Sequence, residues 1–159
     1  MAIPPFLADL RSFVGTRPLW LSAVTAVVVD EQDRLLLNLR SDTGRWALIG
    51  GILDPGEEPA DAMVRECLEE TGVTVLPEAL TSVTVSELQQ YPNGDQAQYL
   101  DLTFRCRPVS GEARVNDDES TEVGWFRLDA LPELDEYTRR RIDIALAFDG
   151  ATAFRFAGA

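Results

Sequence analysis

Glu66, Glu69 and Glu70 fall within five residues, directly after Arg65. On a helix, at about 100° per residue, positions i, i+3 and i+4 are neighbours, so the three carboxylates would share one face. Like charges gathered this way raise one another's pKa and cost stability. A divalent cation reverses the sign, because the carboxylates become ligands and repulsion becomes coordination. Arg65, one turn before Glu69, is placed to pair with it. Such charge patterns are also common on solvated helix faces. The glutamates alone therefore leave two readings open, a cation site and a wet surface.

The rest of the composition narrows the chemistry. The chain of 159 residues has no histidine. That removes Ser-His-Asp and Cys-His arrangements and histidine-ligated zinc or iron. The two cysteines, Cys67 and Cys106, are far apart and frame neither a disulfide scaffold nor a zinc site; both read as core residues. Acid–base and metal chemistry falls to carboxylates, whose natural partners are hard, oxygen-seeking cations, Mg²⁺ above all. Twenty-seven acidic against fourteen basic residues give a net charge of −13. Such a surface repels nucleic-acid backbones and anionic membranes, so neither is an expected partner. A phosphate-bearing ligand would need local help from arginines or bound cations. With 45% apolar and 26% charged residues, the chain has the mixture of a soluble globular protein, most simply one domain over residues 1–159. The longest apolar run, Ala23 to Val29, is too short for a bilayer, and a start with early prolines and Asp9 does not read as a secretory signal. The expectation is a cytoplasmic protein with reduced thiols.

Several elements must position these residues. Residues 5–13 predict a short helix ending near Gly15. "LSAVTAVVVD" (21–30) is β-branched and reads as a strand, with "RLLLNLR" (34–40) as its hairpin return. "WALIGG" (46–51) is a short apolar strand running into two glycines. Pro59 suits the first turn of a helix that Gly72 would stop. On that helix Ala60, Val64, Cys67, Leu68 and Thr71 oppose the glutamates and are expected to pack on a sheet. Residues 80–91 and 97–108 read as strands around the turn "PNGD", 122–128 as a last strand, and about 135–147 as a C-terminal helix. The pattern predicts an α/β sandwich with a mixed sheet.

The spacing around the glutamates is more specific than the cluster itself. Gly51, five residues, Glu57, seven residues and then Arg65-Glu66-Cys67-Leu68-Glu69-Glu70-Thr71-Gly72-Val73 satisfy G-x5-E-x7-R-E-U-x-E-E-x-G-U, where U is bulky and apolar. That pattern is the Nudix box. The chain resembles the Nudix hydrolases over about residues 11–145, where "RW" before the double glycine, "YPNGD" and "EVGWFRLDALPEL" add to the likeness. One departure is Ile49, where the family often has proline.

The resemblance implies the Nudix α/β/α fold and hydrolysis of a nucleoside diphosphate linked to another moiety, a small-molecule substrate. It implies Mg²⁺, with Mn²⁺ able to substitute, held by Glu66, Glu69, Glu70 and the Gly50 carbonyl. Glu57 would lie behind these ligands or bind a further metal, and Arg65 would orient them. Glu66 or Glu70 serves as base in some members. A further catalytic glutamate often precedes the last strand, and Glu119, six residues before Trp125, fits that place; a solvated loop acid is the plainer alternative. Arg40 and Arg45 flank the loop before the glycine strand, as phosphate contacts or as surface arginines. Tyr91 and Tyr99 are candidates for base stacking or for ordinary strand packing. Dimerisation is frequent in the family, which extends the expectation to a homodimer. The alternatives to an enzyme are a Nudix-fold binding module without turnover, which a degenerate box would favour, and a Ca²⁺ protein, against which the missing D-x-D-x-D-G loop argues.

Overall fold

The computed structural model describes residues 4–157. Helix α1 (Pro5–Val14) carries proline in its first turn and ends at Gly15. There follow β1 (Leu19–Val28), β2 (Arg34–Arg40), β3 (Trp46–Ala47), β4 (Ile49–Ile52), α2 (Pro59–Thr71), β5 (Val73–Val85), β6 (Gln89–Gln90), β7 (Gln96–Gly111), β8 (Ser120–Arg127), α3 (Glu136–Leu146) and β9 (Ala153–Phe154). One sheet runs β4-β1-β7-β5-β9, with β6 paired to β7; a smaller one runs β3-β2-β8. Strand β1 is parallel to β7 and β5 to β9, while β4 is antiparallel to β1 and β5 to β7, so the larger sheet is mixed.

Two cores explain the layers. Val24, Ala26, Val28 and Leu36 pack with Met63 and Cys67 of α2. Val27, Leu35 and Leu37 pack with Ile142 and Ala145 of α3. Successive residues of β1 and β2 thus point into opposite cores, as the two-residue period of a strand requires. The sheets are buried between the helices, which is the expected α/β/α sandwich.

Three expectations need correction. The strands 21–30 and 34–40 do not form a hairpin ladder: a single bridge, Val29 to Leu35, links them, and β2 pairs instead with β3 and β8. Covering both faces of β2 takes a core on each side, and that moves it into a second sheet. "WALIGG" is two strands, because Trp46–Ala47 joins β2 while Ile49–Ile52 crosses to pair with β1. Residues 73–79, which the sequence left unassigned, begin the long β5; the strand expected over 80–91 ends at Val85, and Gln89–Gln90 is a separate short piece.

Helix α2 ends as the sequence indicates. Gly72 adopts the left-handed conformation (φ 71°), and its N–H bonds to the Leu68 carbonyl. The buried stripe, however, is Ala62, Met63, Cys67, Glu70 and Thr71. Leu68, expected inside, is 45% exposed, because the helix is turned to face its Met63–Cys67–Glu70 edge inward. Asp135 caps α3, accepting the Thr138 N–H at 2.7 Å. Cys67 and Cys106 are free and buried, as expected of core residues.

Met63 is fully buried between α2 and the larger sheet, with the Cys106 thiol 3.3 Å from its sulfur. Met63→Ala should cost about 2–5 kcal/mol through loss of buried volume. Urea unfolding would show this as a lower midpoint with an unchanged slope.

Candidate active site

The double glycine is a steric requirement. A Cβ on Gly50 would run into the Val24 carbonyl across the β1–β4 pair, and one on Gly51 would overlap the Glu66 carboxylate. Strand β4 can therefore approach both β1 and α2 only where side chains are absent.

Arg65 organises the acids. Its Nε and Nη2 donate to the two oxygens of Glu57 at 2.8 and 2.9 Å, and its Nη1 donates to Glu66 Oε1 at 2.8 Å and Glu69 Oε2 at 3.0 Å. Glu57 also accepts the Asp54 N–H at 3.1 Å, which ties the turn before α2 to the helix. The two bonds to Glu57 form a fork that only a planar guanidinium can make. Arg65 lowers the pKa of Glu57, with burial opposing it.

Glu70 is set differently. It is 3% exposed, and its main partner is Asn38, itself 2% exposed, whose Nδ2 donates to Glu70 Oε2 at 2.5 Å and to Ser120 Oγ at 3.0 Å. Asn38 Oδ1 is buried without a partner. Burial, and then the charges of Glu66, Asp117 and Glu119, push the Glu70 carboxyl up to about 9. Glu66 is raised by burial against the pull of Arg65, and Glu119 by burial and then Asp117.

Glu119 reaches the same place from the other sheet. Its carbonyl accepts the Ser41 N–H at 2.8 Å, and its own N–H bonds to Asp117 Oδ1 at 3.1 Å. The loop before β8 is thereby docked on the end of β2. A cleft of about 680 Å³ opens over Gly50 and Gly51, with Arg65, Glu66, Glu69 and Glu119 on its wall. Glu57 and Glu70 lie behind this wall.

These groups suit a hard cation. All donors are oxygens, Glu66, Glu70 and Glu119 are each raised by burial with neighbouring acids adding to it, and among the described residues no cation forms an ion pair with Glu70. As they stand, no three acid or thiol side chains among the described residues converge on one point that would hold a metal. Glu66 and Glu69 are turned to Arg65, and Glu70 to Asn38.

The remaining candidates divide. Arg40 lines the cleft but is held by Asp42 at 2.9 and 2.8 Å, while Arg45 is exposed and outside it. Tyr91 and Tyr99 line the cleft, join hydroxyls at 2.6 Å and pack on Leu7, Leu21 and Ala97. They therefore serve packing while remaining within reach of a ligand. The structure also brings in residues the sequence reading missed. Asn38 had a faint signal, an amide inside a leucine run. Thr25, Asp101, Tyr137 and Arg141, which cluster in the same cleft, had none.

A glycine turn closed on a helix of glutamates, within an α/β/α sandwich, defines the class of hydrolases that cleave phosphoric anhydrides. Residues 20–146 match the model of the NUDIX domain. The chain is 39% identical over 136 residues to a MutT-like protein of Streptomyces ambofaciens, covering 84% of this chain and 80% of that one. It is 34% identical over 132 residues to the NAD-capped RNA hydrolase NudC of Pseudomonas aeruginosa, covering 80% of this chain but 45% of that protein, so it spans about half the relative's length. The structure of a NUDIX hydrolase from Nitrosomonas europaea superposes with a TM-score of 0.64 at 29% identity, over 82% of this chain and 90% of the other. The chain belongs to the Nudix hydrolase family. Hydrolases of this family generally use divalent metal ions.

Two outcomes follow from this geometry. Gly51→Ala should displace the Glu66 carboxylate and lower turnover by roughly a hundredfold, the scale of losing one electrostatic stabiliser. The pH dependence has a definite sign. A carboxyl raised from 4.5 to about 9 in the fold contributes stability that is full below the unfolded value and lost as pH rises through the folded one. The metal-free protein should therefore become easier to unfold between pH 5 and 9. Glu70→Gln should flatten that slope and melt at the same temperature or higher at pH 8. Melting curves across pH in EDTA check both.

Proposed function

We propose that the protein is a Mg²⁺-dependent pyrophosphohydrolase acting on a small nucleoside diphosphate derivative. The observation that carries this is Arg65 bridging Glu57, Glu66 and Glu69 beneath a cleft whose floor is Gly50 and Gly51. Glu66, Glu69, Glu70 and the Gly50 carbonyl would hold the cation, with Glu57 fixed behind them by Arg65. When bound, Mg²⁺, or Mn²⁺ in its place, polarises the pyrophosphate and lowers the pKa of a water. Glu119, half-buried on the cleft wall and raised by burial, accepts the water's proton. The water oxygen forms a bond to one phosphorus, and the bridging P–O bond breaks. The products are a nucleoside monophosphate and a phosphorylated remainder. Asn38 keeps the Glu70 carboxylate in a single orientation.

The Pseudomonas relative is named for NAD-capped RNA. For this chain a net charge of −13 and an acid-walled cleft favour a small molecule over a polynucleotide. Among the described residues no helix is long and apolar enough to cross a membrane. Two buried free thiols support a reducing compartment such as the cytoplasm.

Hydrolysis of nucleotide sugars, ADP-ribose and nucleoside triphosphates should vanish in EDTA and return with Mg²⁺ or Mn²⁺. Glu66→Gln and Glu119→Gln should each lower kcat by roughly a hundredfold or more. Full turnover in EDTA would reject the mechanism. Nucleotide binding without product in Mg²⁺ would instead indicate a binding module.

A further inference from the structure

The cleft has a second end that the hydrolytic chemistry does not use. Arg141, on α3, lines it together with Tyr137, Asp101 and Thr25. The Arg141 Nη1 donates to Asp101 Oδ2 at 2.8 Å and to Thr25 Oγ1 at 2.8 Å. Thr25 in turn donates to Asp101 Oδ1 at 3.0 Å, and the Tyr137 hydroxyl donates to Asp101 Oδ2 at 3.0 Å. The guanidinium lies 4.2 Å from the centre of the Tyr137 ring. Three side chains, from β1, β7 and α3, are thus spent on holding one arginine still.

Its remaining donors are idle. Nε is buried without a partner, and Nη2 has none among the described residues. The buried, unpaired Nε costs stability, whereas Nη2 keeps access to solvent and is the donor a ligand could meet. The position is also informative. Thr25 is the register partner of Gly50 across β1 and β4, so the Arg141 network adjoins the floor of the hydrolytic site. A substrate with its diphosphate over Gly50 and Gly51 would extend its next groups over Thr25 toward Arg141.

Charge decides what those groups are. The Arg141 and Asp101 side chains are only 14% and 6% exposed and form a close ion pair, so their net charge is near zero. A neutral pair gives little attraction to a second phosphate. Asp101 has both oxygens engaged, so the pair offers donors and no acceptor. Against that pair a neutral acceptor edge is favoured over a donor. Among nucleobases, keto groups such as guanine O6 and the oxygen on C4 of uracil or thymine are acceptors, whereas adenine N6 and cytosine N4 are donors.

We infer that Arg141, held by Asp101, Thr25 and Tyr137, is a specificity-determining residue that selects keto-bearing over amino-bearing nucleobases. This rests on the proposed nucleotide hydrolysis, and the experiment separates the two. Binding of the bare nucleosides guanosine, adenosine, uridine and cytidine is measured by calorimetry in EDTA, where no hydrolysis occurs. Each keto nucleoside should bind at least fivefold tighter than its amino counterpart. Arg141→Gln should bring each pair within about twofold, mainly by weakening the keto member. In Mg²⁺, kcat/KM for GTP over ATP and for GDP-glucose over ADP-glucose should follow the same preference, lost in Arg141→Gln through KM rather than kcat. Equal binding of keto and amino nucleosides by the wild type overturns the inference, as does an Arg141→Gln variant that keeps the preference. Should Arg141→Gln fail to fold by its melting curve, the wild-type ratios alone decide. A keto preference in EDTA without turnover in Mg²⁺ would sustain the base selection and reject the hydrolysis.

Discussion

The Arg65 guanidinium holds the site together. It joins acids from two segments, Glu57 from the turn before α2 and Glu66 and Glu69 from α2 itself. Its planar fork spans both Glu57 oxygens while its third nitrogen serves the helix. A lysine would offer a point charge and could not fix three carboxylates at once. Because Arg65, Glu57 and Glu66 are only partly exposed, their ion pairs are less screened than that to the exposed Glu69. The close approach of Gly51 to Glu66 depends on that arrangement, since the carboxylate must be turned toward Arg65 to fit beside the backbone.

Glu70 lies outside this network, and the contrast is informative. Arg65 stabilises the charged forms of Glu57 and Glu66, whereas Glu70 faces burial and three other acids, opposed by the more distant Arg40, with the Asn38 amide as its side-chain partner among the described residues. Burying a carboxyl this way favours its neutral form. A cation is the one partner that would invert that balance without altering the fold. Asn38 and Ser120 tie the carboxyl to β2 and β8, neighbouring strands of the smaller sheet, so that sheet fixes the position of an acid carried on α2.

The cleft is polarised along its length. At the α2 end acids outnumber the arginines that hold them, an arrangement suited to metal-bridged phosphate. At the α3 end the charges cancel within the Arg141–Asp101 pair, and what remains is directional hydrogen bonding beside an aromatic ring. A molecule with a charged middle and a neutral head matches that division.

The sequence by itself determined what is local. Glu66, Glu69 and Glu70 share a face because the helical period puts them there, and Gly72 stops the helix because its left-handed φ suits glycine. Glu57 was legible through the short turn that returns it to Arg65. Glu119 was legible only as a candidate, since its place depends on the β2–β8 register and on Ser41 docking its loop. Tertiary structure decided the rest. A strand buried on both faces reads alike whether it pairs with its predecessor or enters another sheet, so the placement of β2 was invisible. The rotation of α2 that exposes Leu68 and buries Glu70 is set by the sheet beneath it. Arg141 meets Asp101 and Thr25 across 40 and 116 residues, and its surface-like sequence context gave no sign of this. Short-range spacing is fixed by backbone geometry, whereas long-range contact is fixed by which apolar faces bury each other.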